Sequence, residues 1–145
     1  MSKVLVLNGP NLNMLGAREP DVYGKATLED LTEYCKTKGV ELGLEIEVRQ
    51  TNSEDQLIDW IQKAFESKTD VVLNPAAFTH YSYALRDACA MLQGAGIRLI
   101  EVHISNPHAR ETFRHNSVIS AVATGVIAGF GMQSYGLALT ALSGN

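Results

Sequence analysis

The sequence is poor in the features that tie a chain to a membrane, a metal or a disulfide framework. Its longest apolar stretch, around Val118 to Phe130, is broken by small and polar residues and is too short to cross a bilayer. Only two cysteines occur, Cys35 and Cys89, far apart and each inside a helix-like pattern. No Cys-His spacing resembles a zinc site, and each reads as a buried, reduced thiol. Charged residues make up 19% and the net charge is −4, so the basic balance of a nucleic-acid binder is missing. No G-x-G-x-x-G follows the first strand pattern, and no G-x-x-x-x-G-K-[ST] occurs, which removes the usual nucleotide-phosphate cradles. Internal repeats, linkers and low-complexity tracts are also absent. The N-terminal Met-Ser-Lys-Val-Leu-Val-Leu has no secretory-signal layout, so a cytoplasmic location is expected.

What is present is a core. Hydrophobic residues make up 46% of 145 residues, enough for one domain spanning 1–145. Lys3 to Leu7 reads as a buried strand. Thr27-Leu28-Glu29-Asp30 has the form of a capping box, and Leu28, Leu31, Tyr34 and Cys35 then recur at helical spacing, with Gly39 expected to end the helix. Leu44 to Arg49 alternates as a second strand. Ser53-Glu54-Asp55-Gln56 reads as a second capping box, followed by the stripe Leu57, Ile58, Ile61, Ala64 and Phe65. Asp70 to Leu73 is a third strand, Ala76 to Tyr81 a loop, Ser82 to Gln93 a helix and Arg98 to Val102 a fourth strand. Pro107 is placed to open a short helix through about Arg114. A fifth strand lies within Val118 to Ala128, and Gly129 to Leu142 reads as a closing helix.

This alternation implies right-handed βαβ units: an α/β, flavodoxin-like three-layer sandwich. Its five-stranded parallel sheet has the order 2-1-3-4-5, with helices on both faces. One stretch resists the alternation. Leu7 to Gly24 is punctuated by Gly9-Pro10, Gly16, Pro20 and Gly24, yet carries Asn11, Arg18, Tyr23 and the apolar Leu12, Met14 and Leu15. A connection of this length in a compact domain is usually functional or disordered, and this composition fits a lid that closes over a ligand.

Ligands of open α/β sheets bind outside the carboxyl ends of the strands. Strand one delivers Asn8 and Asn11, then Arg18 and Tyr23; strand three delivers Asn74 and His80. Strand four ends in Glu101-Val102-His103-Ile104-Ser105, followed by Arg110 and Arg114. Amide, imidazole, guanidinium and hydroxyl groups suit an anionic, oxygen-rich small molecule, and carboxylates for a metal are scarce. Singly, each has a plainer role. Arg110 and Arg114, four apart, read as a solvated helix face, and Tyr23 as a loop anchor. Asp87 reads as a surface charge, and His108 and His115 as ordinary polar residues. Their convergence on one sheet edge is what points to a site.

The residues also carry a resemblance. Leu7-Asn8-Gly9-Pro10-Asn11-Leu12-Asn13, Arg18-Glu19-Pro20, Tyr23-Gly24, Asn74-Pro75, Thr79-His80, Arg86-Asp87, Glu101-Val102-His103-Ile104-Ser105-Asn106, Phe113-Arg114-His115 and Gly125-Val126-Ile127-Ala128-Gly129 resemble the signature segments of type II 3-dehydroquinate dehydratase, in order and along nearly the whole chain. The resemblance implies a flavodoxin-like fold, no cofactor or metal, and a dodecamer built from trimers. It implies reversible dehydration of 3-dehydroquinate to 3-dehydroshikimate, by anti elimination through an enolate, in the shikimate pathway or quinate catabolism. It makes Tyr23 the proton acceptor, Arg18 its charge partner, Asn11 the holder of a water at the enolate, and His103 the proton donor oriented by Glu101. It places the substrate carboxylate at Ile104 and Ser105 with Asn74, and the ring hydroxyls at His80 and Arg114. Asp87 reaches in from a neighbouring subunit.

Two other readings compete. A flavodoxin-like module for a flavin or phosphorylated ligand would need a phosphate-cradling loop. A receiver domain would need an acidic magnesium pocket where Asn8-Gly9-Pro10 stands. The chain also departs from the family's Asn-Pro-Gly-Ala-Tyr-Thr-His-Thr with Asn74-Pro75-Ala76-Ala77-Phe78-Thr79-His80-Tyr81, and Pro107 stands where an aliphatic residue is common. These departures bear on pocket shape and subunit contacts, not on the catalytic groups.

Overall fold

A computed structural model describes residues 2–144. β1 (Ser2–Asn8) is central: Val4 and Val6 pack to one side of it and Leu5 and Leu7 to the other, all four buried. Burial on both faces is why this segment reads as a continuous apolar run. β2 (Leu44–Gln50), β3 (Asp70–Asn74), β4 (Leu99–His103) and β5 (Gly125–Ala128) complete one parallel sheet of order β2-β1-β3-β4-β5. The expected topology is observed.

The lid holds a short turn of helix, α1 (Pro20–Tyr23), after a 3-10 turn at Leu12–Met14. Of its three apolar residues, Leu12 and Leu15 are buried, while Met14 stays exposed. α2 (Leu28–Leu42) and α5 (Gln133–Ser143) cover the face that carries Val4, Val6, Val72 and Val102. α3 (Glu54–Ser67) and α4 (Tyr83–Gly94) cover the face that carries Leu5, Leu7, Val71 and Leu73. Each fully buried leucine in these layers, such as Leu57 or Leu85, contributes about 1.5–3 kcal/mol of apolar transfer. Cys35 and Cys89 are both free and buried, and burial pushes each thiol up to about 12.

Several boundaries differ from expectation. Gly39 does not end α2; it lies inside the helix, where a Cβ would collide with Ile46 of β2, so its smallness serves helix-to-sheet packing. The chain instead leaves α2 at Gly43, in the left-handed region at φ 72°. The Thr27–Asp30 capping box forms in both directions; at α3 the Ser53 side chain accepts from the Gln56 amide without the return bond. The helix expected from Pro107 to Arg114 is two 3-10 turns, Pro107–Ala109 and Thr112–His115, broken at Arg110 and Glu111. The expected loop after β3 is a 3-10 turn, Ala76–His80. α5 starts at Gln133, because Gly129 and Gly131 take positive φ and turn the chain first.

Candidate active site

β1 and β3 are hydrogen-bonded neighbours, yet the chain leaves them towards opposite faces of the sheet, and this reversal opens a crevice at their carboxyl ends. Asn8 and Asn74 end the two strands as register partners. Both side chains meet one buried phenol. Tyr135 donates its hydroxyl to Asn8 Oδ1 at 2.6 Å and accepts from Asn74 Nδ2 at 2.9 Å. Asn74 Oδ1 accepts from the Ala76 amide, so the Asn74 side chain is fixed at both ends. The loops beyond are equally close: Gly9 donates its amide to the Asn74 carbonyl, and a Cβ on Gly9 would stand 2.6 Å from the Pro75 oxygen. Only glycine fits there.

The crevice is a narrow cavity of about 50 Å³. It is lined by nine residues expected there: Asn11, Arg18, Tyr23, Asn74, His80, His103, Ile104, Ser105 and Arg114. Asn11 holds a left-handed conformation at φ 70°, which asparagine tolerates, and donates its amide to Asn52 Oδ1. Glu101 is buried beside the cavity, behind His103. Asp87 lies elsewhere, exposed on α4 and paired with Arg86.

Two cations meet Tyr23, one from its own loop and one from between the 3-10 turns that follow β4. Arg18 lies over its ring, 4.6 Å from the centroid. Arg110 lies 5.1 Å from the centroid and donates from Nη1 to the Tyr23 hydroxyl at 2.8 Å and to Ser105 Oγ at 3.3 Å. Arg110 therefore holds the phenol oxygen, a contact that a solvated helix face would not make. The break between the two 3-10 turns frees it from the helical geometry that four-residue spacing suggested.

Across the cavity, His103 Nε2 is 2.5 Å from Glu101 Oε2, which leaves Nδ1 as the ring nitrogen available to a ligand. Burial alone would push the Glu101 carboxyl up. The hydrogen bond and charge of His103, then the Ser120 and Thr79 hydroxyls, outweigh it and hold the group below its ordinary value. His80 is oriented by its Nδ1 contact with the Asn116 carbonyl and by the edge of Phe113. Arg114 is steadied by Glu111 at 3.1 Å. No group of three metal-ligating side chains occurs among the described residues, and no described helix is long and apolar enough to cross a membrane.

This arrangement can take a proton on one side of a small anion and give one on the other. Known proteins share the sequence and fold that build it. The family model described as "Dehydroquinase class II" matches residues 2–143. The chain is 59% identical over 137 residues to a 3-dehydroquinate dehydratase of Salinispora arenicola, covering 94% of each. It superposes on the type II dehydroquinase of Propionibacterium acnes with a TM-score of 0.95 and 52% identity, covering 99% of this chain and 97% of that one. The type II dehydroquinase of Butyrivibrio crossotus gives a TM-score of 0.95 at 46% identity, covering 99% and 98%. With the match running through every strand and every segment that lines the cavity, the chain belongs to the class II dehydroquinase family.

Proposed function

We infer that the chain is a lyase that reversibly dehydrates 3-dehydroquinate to 3-dehydroshikimate. The observation that carries this reading is the pairing, across one cavity, of a phenol held by arginine and an imidazole backed by a buried carboxylate. Tyr23 takes the proton α to the ketone, and the electron pair moves onto the carbonyl oxygen as an enolate. Asn11 holds a water at that oxygen, a donor already in place when charge develops. The enolate then collapses, the carbon–carbon double bond forms, and His103 gives its proton to the departing β-hydroxyl, which leaves as water. Arg18 and Arg110 complement the negative charge on the Tyr23 oxygen. Glu101 orients His103 and supports its charged form.

Asn74, Ile104 and Ser105 receive the substrate carboxylate, and His80 and Arg114 its hydroxyls. Asp87 acts from a neighbouring subunit in a dodecamer of trimers; its exposure and its distance from this chain's own cavity fit that role. The enzyme acts in the cytoplasm on a free small molecule, without metal or cofactor. A cavity of 50 Å³ has room for about three or four waters, far below the roughly 300–1,000 Å³ of ligand pockets. The lid therefore opens to admit substrate.

The test is direct. Purified protein mixed with 3-dehydroquinate is expected to generate conjugated enone absorbance near neutral pH, at the same rate with and without a chelator. No absorbance change would overturn the assignment, and a rate abolished by chelation would overturn its metal-free form.

A further inference from the structure

Glu101 is fully buried, and four side chains converge on its carboxylate. Besides His103, Thr79 Oγ1 lies 2.5 Å from Oε2 and Ser120 Oγ 2.6 Å from Oε1; Ser117 Oγ lies 3.2 Å and 3.1 Å from the two oxygens. None of the three hydroxyls lines the main cavity. They border a second space of about 210 Å³ behind His103, near the turn Ser120–Val122.

The direction of these bonds is set by counting protons and lone pairs. A hydroxyl has one proton and two lone pairs. Ser117 Oγ accepts from the Ile119 amide at 3.1 Å and the Ser120 amide at 3.0 Å, which fills both lone pairs. Thr79 Oγ1 lies 2.7 Å from Ser117 Oγ but finds no lone pair there, so its proton goes to Glu101. The Ser117 proton goes either to Thr79 Oγ1 or directly to the carboxylate. A proton on Oε2 would leave Thr79 donating to a neutral hydroxyl oxygen, a much weaker acceptor than a carboxylate. The arrangement therefore favours the carboxylate.

On this basis, and resting on the roles read above for Glu101 and His103, we propose that Ser117 and Ser120 are positioning residues that lock Glu101 as an anion and so keep the acid proton on His103. The mechanism is a choice between two states of one pair. With Glu101 ionised, the shared proton belongs to an imidazolium, a strong acid at Nδ1. With Glu101 neutral, the proton sits behind the ring and the face towards the substrate is a weak donor. The hydroxyls stabilise the first state.

The other titratable and charged groups near the pair are Cys89 from α4, held neutral as a thiol, and His80, His108, Arg114 and His115 around the second space. Apart from His103, none of these donates a hydrogen bond to Glu101 among the described residues.

The test uses Ser117→Ala, Ser120→Ala and Ser120→Thr in the full-length enzyme. Each alanine variant is expected to lower kcat on its pH plateau by up to about tenfold, with KM nearly unchanged. Ser120→Thr keeps a hydroxyl and is expected to keep the wild-type rate. The His103 ring-nitrogen signals, read by NMR on that plateau without substrate, are expected to move from imidazolium towards neutral-imidazole positions. Folded alanine variants with lower thermal stability but unchanged kcat and unchanged His103 ring signals would overturn the proposal. Ser120→Ala removes a half-buried donor, so it tests the idea even if Ser117→Ala does not fold. An inactive wild type would count against the lyase reading instead, while the His103 ring signals still judge the hydroxyl cage.

Discussion

Arg110 Nη1 donates to the Tyr23 hydroxyl at 2.8 Å, joining residues 87 positions apart in the chain. The Tyr23 phenol, the base proposed above, is thus fixed by a group outside the loop that carries it. Arg110→Ala is expected to lower kcat by about 10²–10³-fold, in the range seen when one preorganised electrostatic donor is removed. KM should change far less. Steady-state kinetics on the purified variant check this, and an Arg110→Ala enzyme with wild-type kcat would reassign the contact to packing.

Tyr23→Phe removes the hydroxyl and leaves the ring that Arg18 and Arg110 stack on. Turnover should disappear while a substrate analogue still binds within a few-fold of wild type. Calorimetric titration with the analogue separates the two effects. Residual turnover near the wild-type rate would move the base elsewhere.

Gly9 has no room for a methyl group against the Pro75 carbonyl. Gly9→Ala is expected to cost about 1–3 kcal/mol of stability and to displace Asn11. Denaturant titration gives the first, and the loss of kcat relative to a control substitution at exposed Val40 gives the second.

Ala76 sits at φ 52°, a left-handed conformation that costs a residue with a Cβ roughly 1–2 kcal/mol. Glycine removes that cost but gives back about 0.4–1 kcal/mol through its looser unfolded chain. Ala76→Gly should therefore raise the melting temperature by about 2 °C. A decrease would mean that the Ala76 methyl packs more favourably than its backbone is strained.

The Glu101 carboxyl is held below its ordinary value of 4.5 in the folded protein. A depressed carboxylate contributes stability that is present above the unfolded-state value and is lost as pH falls through the folded one. Wild type should exceed Glu101→Gln in stability at pH 7, and the gap should shrink below about pH 4.5. Urea titrations at pH 7, 5, 4 and 3 read the difference; a gap independent of pH would contradict the ionised assignment.

The strand pattern and the polar residues at strand ends made the topology and most of the cavity legible in the sequence. Asn8, Asn74 and His103 each close an apolar run, so their place at the sheet edge follows from where the run stops. The sequence places Arg110 at this edge, but its contact with Tyr23 is hidden, because its distance to Arg114 suits a helix that does not form. Ser117 and Ser120 reach Glu101 from 16 and 19 residues away, through a turn with no periodicity to announce it. Nothing in the sequence sets Tyr135 apart within the closing helix; only the packed structure shows its hydroxyl joining Asn8 to Asn74. Gly39 shows the opposite case: its local signal for a helix end is strong, and contact with β2 overrides it.

The lid enters the hydrophobic interior through Leu12 and Leu15, both near its root, while α1 at its far end has no buried residue. The segment between the positive-φ glycines Gly16 and Gly24 is in that sense a cassette. Its sequence can drift, or be exchanged for that of a relative, with little consequence for folding, provided Arg18 and Tyr23 keep their spacing. Variation that tunes how long a ligand resides in the site therefore belongs in this segment, and variation that sets how well the protein survives heat belongs in the layers beneath it.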